Sequence, residues 1–296
     1  MHPVLRRADR FEDLPPSGEH DSPYVFETIF DGADARARRL SRKKLKLLRR
    51  IDERLRAVLD EGERVRYVTF GSAIDNSNHL VTWLAARIMN RRAIVLTDRR
   101  MLLLQIDDRL RPKRLVNQIR YPAIHEVTAG RTGNVRLRLG EDKARQFAGV
   151  PRRDGVFLRE LVESIGTTMR RAAIGLEHLC PRCHSVVQEP GASECPTCAL
   201  RFASTRRATL LSLLVPGLGD IPLGYHGLAL VKFAVAAVVW LGPFLSDVRG
   251  VATTAEIIAF IAGIVVVIHG AAAGSTWSLA RMGVYPAGGA RSASRG

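Results

Sequence analysis

All four cysteines of this 296-residue chain fall between Cys180 and Cys198, as Cys180-Pro181-Arg182-Cys183 and Cys195-Pro196-Thr197-Cys198. Each Cys-x-x-Cys pair can set two sulfurs on one metal from a tight knuckle, and two pairs make a closed tetrahedral thiolate site that suits zinc. Eleven residues separate the pairs, enough for one short hairpin containing Pro190-Gly191. Four sulfurs leave no open position for water, so the expected zinc is structural, with Cys180, Cys183, Cys195 and Cys198 as ligands. A ribbon this small has little core, and the metal must supply on the order of 10 kcal/mol of its folding free energy. Two redox-active dithiols are the alternative, but no thioredoxin-like context surrounds either pair. Cysteines spaced for metal rather than for disulfides also indicate a reducing compartment. His184 offers itself as a replacement ligand, and Phe202 as a cover for the site.

Around this ribbon the charge is divided along the chain. Residues 1–206 are rich in charge and residues 207–273 nearly free of it, while the whole carries a formal net charge of +16. Such a balance attracts phosphate, on nucleic acid or on anionic lipid. The first residues have no apolar run behind their charges, so no secretory signal peptide is expected. Residues 1–33 mix Pro, Gly, Asp and Glu without a period and read as a disordered lead-in.

Residues 34–60 read as a basic amphipathic helix. Leu40, Leu48, Ile51, Leu55 and Val58 recur at helical steps. Eleven Lys or Arg stand against two acids between Ala35 and Leu59. Arg36, Arg38, Arg39, Arg42, Lys43, Lys44, Lys46, Arg49 and Arg50 are candidate contacts for phosphate or anionic lipid. Residues 64–150 look rich in strands: Val65–Phe70, then Ala93–Thr97 and Met101–Gln105 as a buried hairpin about Asp98-Arg99-Arg100. Gln118–Val127 is a further strand candidate interrupted by Pro122, and Val135, Leu137 and Leu139 alternate with Arg136 and Arg138. Residues 78–90 fit either a helix or a wide strand. A helix follows Asp154, taken as its N-cap, with Phe157, Leu158, Leu161, Val162, Ile165 and Met169 as its apolar stripe.

This order, carried by Leu96-Thr97-Asp98-Arg99-Arg100-Met101-Leu102, Ile119–Val127 and the closing helix 154–172, resembles the bacterial pleckstrin-homology-like (GRAM-like) domains over roughly 60–172. The resemblance implies a β-barrel or sheet with a C-terminal helix, without a fixed ligand. Residues 180–202 resemble the short zinc ribbons of bacterial membrane proteins. Such knuckles often have Gly after the second cysteine, where this chain has His184 and Ala199, which implies a slightly different turn.

The apolar stretches from Gly227 to Leu245 and from Ile257 to Ala273 approach the roughly 20 residues that cross a bilayer. They are read as a transmembrane hairpin, with Lys232 snorkelling and Trp240 and Trp277 as interfacial anchors. Flanking arginines put both ends in the cytoplasm of an inner membrane. The segment 207–226 is either interfacial or re-entrant, or a third span. Its Pro216, Gly217, Gly219, Asp220, Gly224 and Tyr225 are read as a membrane turn. The phrase Leu214–Asp220 with Leu223-Gly224-Tyr225 resembles the TM-two domain family over about 207–273, which implies a membrane module and no transporter. Gly270 and Gly274 have a spacing that allows close helix contact and a homo-oligomer.

The expected fold class is therefore α+β multidomain: lead-in 1–33, basic helix 34–60, pleckstrin-like domain 61–174, ribbon 178–203, segment 207–226, hairpin 227–277 and a disordered tail 278–296. No phosphate loop, G-x-S-x-G elbow or H-E-x-x-H is present, and no catalytic residue is expected. The acidic pairs Asp107-Asp108 and Glu141-Asp142 fall at expected turns. The expected function is a membrane-anchored scaffold binding a protein partner or anionic membrane lipid. The alternative is a membrane-tethered nucleic-acid binder using the basic helix and ribbon.

Overall fold

The computed structural model describes residue 5 and residues 22–30, 35–74, 90–140, 143–166, 175–188, 191–245 and 254–287. The expectations for most of the lead-in 1–33, for 78–89, Glu141-Asp142, Met169, 246–253 and the tail from 288 lie outside these residues, as does the side chain of Arg36. The chain divides into two compact units, one of 1–180 with 184–188, the other of 181–183 with 189–296.

The first unit is built on a nine-stranded sheet. Its elements are α1 (Phe26–Ile29), α2 (Ala35–Arg56), β1 (Val65–Ile74), β2 (Arg91–Thr97), β3 (Arg100–Ile106), β4 (Pro112–Arg120), β5 (Ile124–Ala129), β6 (Val135–Leu139), β7 (Lys143–Ala148), α3 (Arg152–Gly166), β8 (Leu176–Leu179) and β9 (Val186–Val187). Pro122 sits in a 3-10 turn, Tyr121–Ala123, that separates β4 from β5. The strand order is β5-β6-β7-β1-β2-β3-β4-β8-β9, so β5 and β9 are edges. The sheet is open, and this corrects the expected pleckstrin-like barrel. Strand composition cannot report closure, because closure depends on which distant edges meet.

The β2–β3 hairpin is apolar without interruption because both of its faces are covered. Ala93, Val95, Leu102 and Leu104 join Leu45, Leu48, Ile51 and Leu55 of α2 in one core. Ile94, Leu96, Met101 and Leu103 join β5–β7 and Leu158 and Val162 of α3 in another. Burying each such side chain contributes about 1.5–3 kcal/mol.

A buried ionic cluster ties both helices to β1. The Lys44 ammonium lies 3.0 Å from an Asp154 oxygen, with side chains 5% and 1% exposed. Lys44 also donates to the Tyr67 hydroxyl at 2.7 Å, and that hydroxyl donates to Asp154 at 2.8 Å. Thr69 donates to the other Asp154 oxygen. Asp154 is thus not an N-cap: α3 begins at Arg152, and its first-turn carboxylate turns into the core.

The second unit contains α4 (Thr205–Leu214), a 3-10 turn at Leu218–Asp220, α5 (His226–Leu245) and α6 (Thr254–Ala280). Ser204 caps α4 by accepting from the Arg207 amide. Gly217 has φ 92°, and a Cβ there would lie 2.4 Å from the Ala229 carbonyl; one on Gly219 would lie 1.8 Å from the Ala208 carbonyl. These glycines let a tight turn nest among helices. The chain after α6 returns to pair near the ribbon: the Ala203 amide donates to Tyr285 and the Ala287 amide to Arg201.

No helix among the described residues is long and apolar enough to cross a membrane. This corrects the transmembrane hairpin, the membrane anchoring built on it and the inner-membrane location with its orientation. Within 207–273 Ser212, Asp220 and Lys232 meet inside the unit, while Leu230, Val231, Val238, Val266 and Val267 are exposed. Lys232 does not snorkel; it meets the fully buried Asp220 at 2.7 Å. Thr276 donates to the other Asp220 oxygen at 2.8 Å, and Ser212 lies 2.8 Å from Thr276. Charge counting along a sequence registers how few such groups there are, not that they converge.

Candidate metal centre

The two cysteine knuckles share one backbone pattern. In the first, the Cys180 amide donates to Ser185 and the His184 amide to Cys180; in the second, the Cys195 amide donates to Leu200 and the Ala199 amide to Cys195. The residue after the second cysteine is left-handed in both, His184 at φ 59° and Ala199 at φ 53°. The glycine-type turn is therefore retained by residues with a Cβ, and the different turn expected from those two departures is not formed. Left-handed backbone costs such residues about 1–2 kcal/mol each.

The four sulfurs lie within 4.8 Å of one another. Cys183 and Cys195 sulfurs are 3.5 Å apart, too far for a disulfide. Four thiolates on a tetrahedral ion with bonds of about 2.3 Å would stand about 3.8 Å apart, so the set fits one metal ion. Cys180 and Cys195 are buried and Cys183 and Cys198 half-buried.

His184 is not among the clustered ligands. Burial and the nearby Arg54 charge lower its pKa, against a hydrogen bond with the Ala57 backbone. Burial also lowers the Arg54 guanidinium, and Cys180 opposes that shift. Phe202 is buried, its amide donating to Ser193.

The first knuckle starts where the sheet ends. Strand β8 pairs with β4 and runs directly into Cys180. Within that pair His178 stands opposite Asn117, with Nδ1 3.0 Å from the amide oxygen. Burial, then Arg145 and Arg92, push His178 down to about 4. Periodicity gave no signal for this histidine, since strands of two to four residues carry too little pattern.

The other candidate residues separate by burial. On α2, Arg38, Arg39, Arg42, Lys43 and Lys46 are exposed, Arg49 and Arg50 are half-buried, and Lys44 is buried. Arg49 donates to the Leu5 carbonyl at 2.9 Å. Pro216, Gly217, Gly219, Asp220 and Tyr225 are buried among the helices of the second unit, and Gly224 is exposed with φ 80°.

No family model matches the chain, and no curated protein matches it. Among solved structures it is similar to a DUF1696 family protein with a pleckstrin-homology domain from Shewanella loihica PV-4, at 14% identity and a TM-score of 0.26, over 40% of this chain and 96% of that one. A similarity at that level carries no argument. The resemblances to pleckstrin-like and TM-two domains read from the sequence are matched by no family model.

Proposed function

We propose that this chain is a non-catalytic binding protein: its four cysteines hold a structural zinc ion, and the exposed face of α2 binds the phosphates of nucleic acid. The observation that carries the binding reading is the row Arg38, Arg39, Arg42, Lys43 and Lys46, all exposed, with no acid on α2 before Asp52. The opposite face of the helix is spent on the core. A row from residue 38 to 46 extends about 12 Å along a rigid helix at roughly 1.5 Å per residue. A duplex carries about one charge per 1.7 Å of axis, so several phosphates lie within its reach. The net charge of +16 raises the encounter rate with any such polyanion.

Zinc is the metal that the donor set favours. Soft thiolates in a closed four-sulfur site select zinc or iron, and a structural zinc adds folding free energy without redox chemistry. The mutual closeness of the four sulfurs and the burial of Cys180 and Cys195 support a single closed site.

Fluorescence anisotropy with duplex and single-stranded oligonucleotides across a salt series tests the binding. Five phosphate contacts predict a slope of log K against log salt near −4.5 for duplex, at about −0.9 per contact. Replacing Arg38, Arg39, Arg42 and Lys43 with Gln should reduce that slope by most of its value. Binding unchanged in this variant, or binding to anionic vesicles with none to nucleic acid, overturns the reading. Metal analysis of protein prepared without chelator should give one zinc per chain, lost in Cys180→Ser; a coloured iron-thiolate protein would refute the zinc assignment.

A further inference from the structure

The outer face of the β5–β6–β7 meander carries a cavity of about 290 Å³, lined by Glu126, Thr128, Arg136, Arg138 and Ala144. It lies on a different element from α2 and does not rest on the proposal made for that helix. From this cavity we infer a second binding site, for a small phosphomonoester dianion.

The register builds the site. Arg138 stands between Glu126 of β5 and Ala144 of β7, and Arg136 stands opposite Thr128. Residues two apart on a strand share a face, so both guanidinium groups rise from β6 on the same side. The other side of β6, Val135, Leu137 and Leu139, is buried in the core. That packing fixes the strand and leaves its arginines outward. Ala144 opens the space: at the position beside Arg138 it has only a methyl group where a longer side chain would fill the floor.

The electrostatics favour an anion. Two cations face one carboxylate among the described residues that line the cavity. Glu126 holds Arg138 only loosely, at 3.9 Å with side chains 55% and 58% exposed. A pair that exposed is readily displaced by a better acceptor. Arg136 makes no ion pair among the described residues. The planar guanidinium matches a phosphate oxygen edge with two parallel hydrogen bonds. Thr128 adds a hydroxyl at the rim. A phosphate alone would leave room in such a volume, and the excess suits a short organic group on the ester.

Isothermal titration of the full chain with inorganic phosphate and, in parallel, with glycerol 3-phosphate tests the site. Both should saturate, the ester more tightly; equal affinities would assign the site to the free ion. Arg136→Gln should weaken binding at least tenfold. Glu126→Gln should tighten it several-fold, because it removes the competing carboxylate. Ala144→Leu should abolish it without changing charge. Arg109→Gln, an exposed loop cation outside the cavity, should leave it unchanged. Non-saturating titrations, an Ala144→Leu protein that binds as well as wild type, or an equal loss in Arg109→Gln would overturn the proposal. Far-ultraviolet circular dichroism of each variant separates lost binding from lost folding.

Discussion

Lys44→Met and Lys43→Met alter neighbouring residues of α2, yet they should be read out in different assays. Lys44 is held at 3.0 Å from Asp154, 5% exposed against 1%, with Tyr67 bonded to both groups. Removing the ammonium leaves a carboxylate buried with only two hydroxyl donors. Breaking one partner out of such a pair costs about 3–5 kcal/mol. Against a typical domain stability of about 5–15 kcal/mol, that is a large fraction. Lys43 points to solvent, and its loss should change stability by less than about 0.5 kcal/mol. Urea unfolding followed by far-ultraviolet circular dichroism measures both. Adding Asp154→Asn to Lys44→Met should recover part of the loss, because the stranded charge is then gone. In the oligonucleotide assay the order reverses: Lys43→Met should reduce the salt slope by about one, and Lys44→Met should not. The reasoning fails if Lys44→Met costs under about 1 kcal/mol, or if the double variant loses the full sum of the two single losses.

His178 predicts a pH dependence. Its folded pKa is about 4 against 6.5, so the unfolded chain binds the extra proton between those values. The contribution is fully present above about pH 6.5 and is lost as pH falls toward 4, a total of about 3 kcal/mol. His178→Gln should flatten the stability profile in that window, and an unchanged profile would refute the assignment. Ala199→Val places a branched side chain in the left-handed turn and should speed zinc loss to a chelator, whereas Ala199→Gly should hold the metal at least as well as wild type; equal release from all three would argue against a strained knuckle. Gly219→Ala drives a Cβ against the Ala208 carbonyl and should unfold the second unit, while Gly224→Ala, where nothing lies within 4 Å, should cost only about 1 kcal/mol. Comparable thermal midpoints for these two proteins would sink that comparison.

What the sequence reveals here depends on how local each signal is. The β2–β3 hairpin is legible because two covered faces leave an unbroken apolar run. The cysteine cluster is legible because its spacing is itself the knuckle. Lys44 is misplaced by composition although a signal exists: Ser41, Lys44, Leu48 and Asp52 recur at helical steps and all are buried. Weighting composition over period groups that lysine with its exposed neighbours. Tyr24, whose hydroxyl donates to the buried Asp52 at 2.6 Å, gives no such warning, since its partner is distant in sequence. The apolar stretch 207–273 misleads for a related reason. Asp220, Lys232 and Thr276 are far apart along the chain, and only folding brings them together. The same holds for β8, whose Leu179 pairs with Val116 of β4, far back along the chain.

That pairing gives the ribbon a task beyond its own stability. Strand β8 is four residues long and its outer neighbour β9 only two, and the knuckle that begins at Cys180 is the turn that joins them. Stripping the metal would slacken this short cover and bare the amides and carbonyls of β4 that it now occupies. An uncovered strand edge recruits other chains. The thiolate cluster would then act as a guard against self-association, and chelated protein would be expected to clump before it melts.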